Sequence, residues 1–241
     1  MAHLAEPLIR RLRIGALLAA EDIDALETLP MTIKTMPAQT VVAREGDRPT
    51  QSCLLLEGFA CRSKTTDAGK RQILSIHVAG DIPDLQSLHL HVMDHDLTTL
   101  SKCVVGFIPH EALLALTRAR PLIAEALWRE TLIDAAVFRE WIVNVGRRPA
   151  TKRLAHLIAE LGARLEAIGL SVDGHFELPM TQLDLADALG LTPVHLNRVL
   201  QELRHRNLLE LRKHSVVLRD VDELKKLGDF DALYLHQARS S

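Results

Sequence analysis

Five side chains, Val194, His195, Asn197, Arg198 and Gln201, fall on or near one side of a short stretch whose other positions, Leu196, Val199, Leu200 and Leu203, are apolar. Their chemistry is that of reading base edges. An arginine fork can donate to both acceptors of a guanine, an asparagine amide can read adenine or hold a phosphate, and a valine can touch a thymine methyl. Such reading needs a rigid helix entering a major groove by its N-terminal end. Thr192 is placed to cap that helix, with Pro193 at its first position. Upstream, Leu183, Leu185, Ala186 and Leu189 give a second short helix an apolar side, and Thr181 and Asp184 stand at the spacing of a capping box. Gly190 supplies the turn between the two and Leu191 plugs their joint core, so residues 181–205 read as a helix-turn-helix. Leu208–Leu218 continues as strand, basic turn, strand, which is a wing. Thr181, Gln182 and Thr192, at helix N-termini, and Lys213, in the wing, are candidate phosphate contacts.

An ordinary helical hairpin with solvated arginines would share much of this pattern, and charge separates the two readings. From Thr192 to Arg219 there are six Arg or Lys against two acids, while the whole chain has 29 basic and 31 acidic residues. A local basic face on a near-neutral chain is the footprint of a phosphate-backbone partner, here duplex DNA.

The elements that must carry this unit follow from the rest of the chain. Its 241 residues suit two domains. No run of about 18 uncharged apolar residues occurs, which predicts no membrane contact, and the N-terminus has no signal-peptide core, which predicts a cytoplasmic protein. Aromatic residues make up 3% of the chain, too few for a stacking platform for single strands. Cys53, Cys61 and Cys103 show no metal spacing and lie in apolar runs, as buried thiols do. No nucleophile–base pair or phosphate-cradling glycine loop appears, which argues against an enzyme.

Pro7–Leu29 reads as a helix pair turning near Glu21 or Asp22. From Met31 to Pro109, short β-rich runs alternate with turns at Gly46-Asp47, Glu57-Gly58, Asp67-Ala-Gly69 and Gly80-Asp81, the pattern of a small roll or barrel. Leu54–Phe59 and Cys61–Lys64 read as a hairpin. A helix is predicted over His110–Ala119, then the longest helix from Pro121 to about Val145, ended by Gly146, with Arg147-Arg148-Pro149 as a hinge. The expected organisation is α+β, with a β-roll sensor and flanking helices over 1–120, a dimerisation helix over 121–146 and a winged helix over 147–241.

On the long helix, Leu127, Thr131, Asp134, Phe138, Trp141 and Val145 recur at coiled-coil spacing and form the expected seam of a parallel homodimer. A second face, Ile123, Ala126, Ile133 and Val137, competes with it. Asp134 on a seam is costly unless paired.

The order of elements resembles the catabolite-activator/fumarate-nitrate regulator (CRP/FNR) family. Gly46-Asp47, Leu56-Glu57-Gly58, Gly80-Asp81 and the run Cys103–Ile108 fall where that family's cyclic-nucleotide-binding-like roll has its glycine turns and last strand. Leu183–Leu211 carries the most specific likeness, and the runs Asp81–His89 and Thr192–Arg198 look like a branch common in α-proteobacteria. The resemblance implies a homodimeric regulator of transcription on a pseudo-palindromic operator, with RNA polymerase as a further partner. It places Val194 where better-known members have a base-reading Glu, Asn197 where they have Ser or Gly, and Arg198 where they have Arg.

Departures from the better-known members bear on the signal. The stretch Pro83–Thr99 contains no Arg or Lys to hold a cyclic phosphate, and Asp84, Asp94 and Asp96 would repel one. Residues 1–52 contain no Cys for an iron–sulfur cluster. His77, His89, His91 and His95 offer imidazoles for a metal or haem, or else a polar surface patch. The effector and any cofactor stay unassigned at this point, with cyclic-nucleotide and metal or haem sensing as the alternatives.

Overall fold

Ser-Cys-Leu-Leu-Leu, at the heart of β3 (Gln51–Glu57), is buried at every position. Such a strand has an apolar layer on both faces. In the computed structural model, which describes residues 4–237, the two layers are distinct. Leu54 and Leu56 point to a cluster with helices α1 (Glu6–Arg13), α2 (Ala20–Glu27), α4 (His110–Ala119) and the start of α5 (Pro121–Arg147). Cys53 and Leu55, on the other face, fill the roll interior with Ala60, Met93, Leu97, Cys103 and Val105. The period of two along the strand thus builds both cores.

The roll pairs two antiparallel sheets. One is ordered β1 (Thr32–Met36), β7 (Cys103–Pro109), β3; the other β2 (Val41–Ala43), β6 (Asp96–Thr99), β4 (Ala60–Thr65), β5 (Arg71–His77). The expected hairpin at 54–64 is therefore a change of sheet, since β3 pairs with β7 and β4 with β6. Gly58 makes the corner at φ +92°, where a Cβ would stand 2.5 Å from the Lys102 carbonyl oxygen. Glu21 and Asp22 lie within α2 rather than at a turn, with the Asp22 carboxylate accepting from Ala19 N–H at 3.0 Å.

Contacts divide the chain into two units. Among the described residues, one comprises 4–66 with Leu74–Asp134, the other Asp67–Ile73 with 135–237. The second unit is built on α6 (Ala150–Ala167), whose Leu154, Leu157, Ile158, Leu161 and Leu165 are buried. Its sheet is ordered β10 (Leu209–Arg212), β11 (Ser215–Leu218), β9 (His175–Glu177), β8 (Ser171–Val172). Helices α7 (Gln182–Leu189), α8 (Pro193–His205) and α9 (Val221–Leu227) complete it, followed by a 3-10 turn at Ala232–Leu235. The long helix runs through Gly146 to Arg147, two residues past the expected end.

Asp84 is 3% exposed and accepts the Cys53 N–H at 2.7 Å. Burial pushes its carboxyl up to about 6, against the pull of that hydrogen bond. The folded pKa lies above the unfolded one, so the stabilising protonated form is present at low pH and lost as pH rises through 6. Asp84→Asn keeps an acceptor for Cys53 and is expected to raise stability at pH 7.5 by up to about 3 kcal/mol. It also flattens the pH dependence between 4 and 6. Urea unfolding of both proteins at pH 4.5 and 7.5, at one protein concentration, checks this.

Candidate nucleic-acid interface

Local chemistry sets the two helices of the second unit. Thr181 Oγ1 accepts the Asp184 N–H at 3.1 Å and the Asp184 carboxylate accepts the Thr181 N–H at 2.9 Å, closing the capping box. Gly190 ends α7 in the left-handed region at φ +62°. Thr192 Oγ1 accepts the His195 N–H at 3.2 Å and starts α8, with Pro193 at its first position. Within this unit Arg71 bonds Asp187 at 2.8 Å and Asp184 at 2.5 Å, so both acids of α7 are neutralised.

On α8, Leu196, Val199, Leu200 and Leu203 are buried, while Val194, His195, Asn197, Arg198 and Gln201 are exposed. Thr181, Gln182 and Thr192 are exposed at the helix starts, and Lys213 is exposed at φ +52° in the turn joining β10 to β11. All nine expected side chains thus reach the surface of one unit. Leu183 departs from its expected inward role and is 55% exposed on the first turn of α7.

Counting charges in the sequence overstated the number of available cations. Glu210 pairs with Arg212 at 2.7 Å and Arg219 at 2.8 Å, and Arg219 holds its carboxyl below the usual range. Arg206 lies within 4 Å of both Glu202 and Glu223. Between Thr192 and Arg219, only Arg198, Arg204 and Lys213 have no carboxylate partner among the described residues.

The residues of the expected dimer seam differ in exposure, and Thr131 is the exposed one. Leu127 and Trp141 are buried by their own chain, Phe138 and Val145 are half-buried, and Asp134 bonds Arg62 at 2.5 Å. The competing face, Ile123, Ala126, Ile133 and Val137, is buried too. The apolar side chains that α5 leaves exposed are Trp128 at 67%, Leu132 at 52% and Ile142 at 69%, with Leu122 and Val143 beside them. Trp128, Leu132, Ala135, Arg139, Ile142 and Gly146 share one stripe at spacing of four and three, one step round the helix from the expected seam.

In the roll, the four histidines do not converge. His77 is buried against Ser75 Oγ at 2.8 Å and Asp81 at 3.3 Å, and His95 against Asp94 at 2.7 Å. Burial, then Arg62, hold both imidazoles below their ordinary pKa. His89 lies in the short helix α3 (Ser87–Leu90), and His91 follows it at φ +60°. Among the described residues no three His, Cys, Asp or Glu side chains could hold a metal ion together. The three acids do not share one pocket either. Asp84 is buried, the Asp94 side chain is 78% exposed, and Asp96 accepts the Glu45 N–H at 2.9 Å. Arg62, outside the stretch searched for a phosphate partner, is a buried cation of the roll that the sequence reading missed. Its Nε donates to the Pro83 carbonyl at 2.6 Å. The three cysteines are buried free thiols, and burial raises the Cys53 and Cys103 pKa values.

A wing beside a capped helix-turn-helix, joined through one long helix to a two-sheet roll, defines a class of DNA-binding proteins. The Crp-like helix-turn-helix domain profile matches residues 152–227, and the cyclic nucleotide-binding domain profile matches 33–120. The transcriptional activator protein FnrL of Cereibacter sphaeroides is 26% identical over 227 residues, 92% of this chain and 90% of that protein. Electron transport regulator A of Shewanella oneidensis is 26% identical over 212 residues, 88% and 84% of the two chains. FixK2 from Bradyrhizobium japonicum shares the fold at a TM-score of 0.76 and 23% identity, covering 85% of this chain and all of that one. The chain belongs to the CRP/FNR family of transcription regulators. It is a DNA-binding regulator of transcription rather than an enzyme, and no helix among the described residues is long and apolar enough to cross a membrane.

Proposed function

We propose that the protein binds a pseudo-palindromic operator as a homodimer, with α8 of each copy in successive major grooves about 34 Å apart. The observation that carries this reading is Arg198, exposed midway along a helix whose start Thr192 fixes, and without a carboxylate partner among the described residues. Arg198 donates its fork to a guanine, and Val194 beside it meets an apolar base edge. Lys213 and the helix-start residues Thr181, Gln182 and Thr192 hold backbone phosphates. As the family resemblance implies, the bound dimer acts through RNA polymerase, in the cytoplasm. Selection from a randomised operator tests the assignment. Arg198→Ala is expected to lose the preference at one base pair per half-site, worth about 1–3 kcal/mol, and Val194→Glu to shift its neighbour toward G·C. An unchanged consensus in both variants would show that this face does not read bases.

The exposed stripe of α5 is the dimer seam in this reading. Leu132→Glu places a charge in the contact without touching either buried face of the helix, and sedimentation should show monomers at micromolar concentration with the far-ultraviolet spectrum unchanged. A dimer at that concentration would place the contact elsewhere.

The signal acts at the roll. A cyclic nucleotide needs a cation for its phosphate, and Arg62 is engaged by Asp134 and the Pro83 carbonyl. Calorimetry with cyclic AMP is expected to give no micromolar binding, and a saturable isotherm in that range would restore the nucleotide reading.

A further inference from the structure

Asn197, Gln201 and Arg204 lie three and four residues apart on α8, and they share a depression that sequence spacing does not reveal. Gln182, from the first turn of α7, joins them on its rim, while Leu200, Leu209 and Leu211 form its floor. Its volume is about 150 Å³, many times the space one water needs. All four rim side chains are exposed, and none is acidic.

Arg204 has the character of a waiting cation. Among the described residues its one hydrogen bond is the 3.4 Å contact from Nη2 to the Leu211 carbonyl, and it has no carboxylate partner there. That bond draws the guanidinium toward the strand that floors the depression. Three neutral amides beside a single guanidinium supply donors without a second positive charge. This suits an anion carrying one charge and several acceptor oxygens, as a phosphodiester does. A base edge presents both donors and acceptors, and it would not need a cation at the C-terminal end of the helix, away from the reading end.

We propose that this depression seats one backbone phosphate of the DNA, with Arg204 as its cation and Asn197, Gln201 and Gln182 as its neutral donors. The seat rests on the reading of the second unit as a duplex-DNA binder, and it sharpens it. Asn197 and Gln201 become register-setting residues, and sequence is read from Val194 and Arg198 alone. Arg198 and Arg204 then do different work on the same helix, one choosing the site and the other fixing how the helix lies on it.

The experiment compares the full-length wild type with Arg204→Ala, Arg204→Lys and Asn197→Ala, by operator selection and by affinity for the selected duplex across a salt series. Arg204→Ala should lower the slope of log affinity against log salt by about 0.9 for each half-site while selecting the wild-type consensus. Arg204→Lys should keep the slope, because the ammonium still neutralises the phosphate. Asn197→Ala should weaken all sequences alike. A changed consensus in Arg204→Ala or Asn197→Ala, or an unchanged slope in Arg204→Ala, overturns the seat while the wild type still binds DNA. Absence of salt-dependent duplex binding by the wild type overturns the DNA reading and the seat together. Melting curves matching the wild type show that a loss in a variant belongs to the contact rather than to the fold.

Discussion

Glu130 and Asp134 stand one turn apart on α5, and each meets an arginine of its own unit. Arg11 from α1 reaches Glu130 at 2.8 Å and Asp81 at 3.6 Å, and Arg62 from β4 reaches Asp134. Burial alone would lower the Arg11 pKa, and the attraction of Asp81 and Glu130 outweighs it. Taking one member from such a buried pair leaves an uncompensated charge, typically at a cost of about 3–5 kcal/mol, so the helix cannot easily rotate away. That fixes which side of α5 faces the roll. The opposite side, with Trp128, Leu132 and Ile142 exposed, is thereby the side available to another chain.

The same pairs explain what could be read from the sequence and what could not. The helix-turn-helix was legible to single residues, because Thr181, Asp184, Gly190, Thr192 and Pro193 act on backbone groups within four positions of themselves. Helix α4 was legible over its full span because Pro121 stops the helical pattern at the residue before it. The seam was not. Apolar residues occur on most sides of α5, and the choice among them is made by Arg11 and Arg62, which lie 119 and 72 residues from their partners. The change of sheet at Gly58 was hidden likewise, since β3 and β4 look like a hairpin until their true partners, β7 and β6, are known.

At the nucleic-acid face, composition pointed to the right place and geometry refined it. Six basic residues identified the region, yet Glu210, Glu202 and Glu223 occupy three of them. What remains is a sparse arrangement of Arg198, Arg204 and Lys213 on three different parts of the motif: the middle of α8, its end, and the wing. The expected nine contacts all lie at the surface, while the depression at Arg204 depends on three elements meeting and has no linear signature.

Within the second unit the end of α5 is tied down from below. Glu160 is fully buried and accepts from Trp141 Nε1 at 3.1 Å and from the Tyr234 hydroxyl at 2.8 Å, with Arg164 at 3.6 Å. Burial raises its pKa against the pull of Arg164. Asn144 adds a bond to the Arg153 carbonyl at 3.2 Å. The helix is therefore continuous in backbone but divided in allegiance at Asp134 and Ala135. This bears on where a chimera could join the sensor of one such protein to the DNA-binding unit of another. A crossover at the loop after Arg147, where the helix ends, would strand the Glu160 carboxylate without the indole it needs. A crossover in mid-helix keeps each half with the residues that hold it, so the viable joint between modules lies inside a regular element rather than between elements.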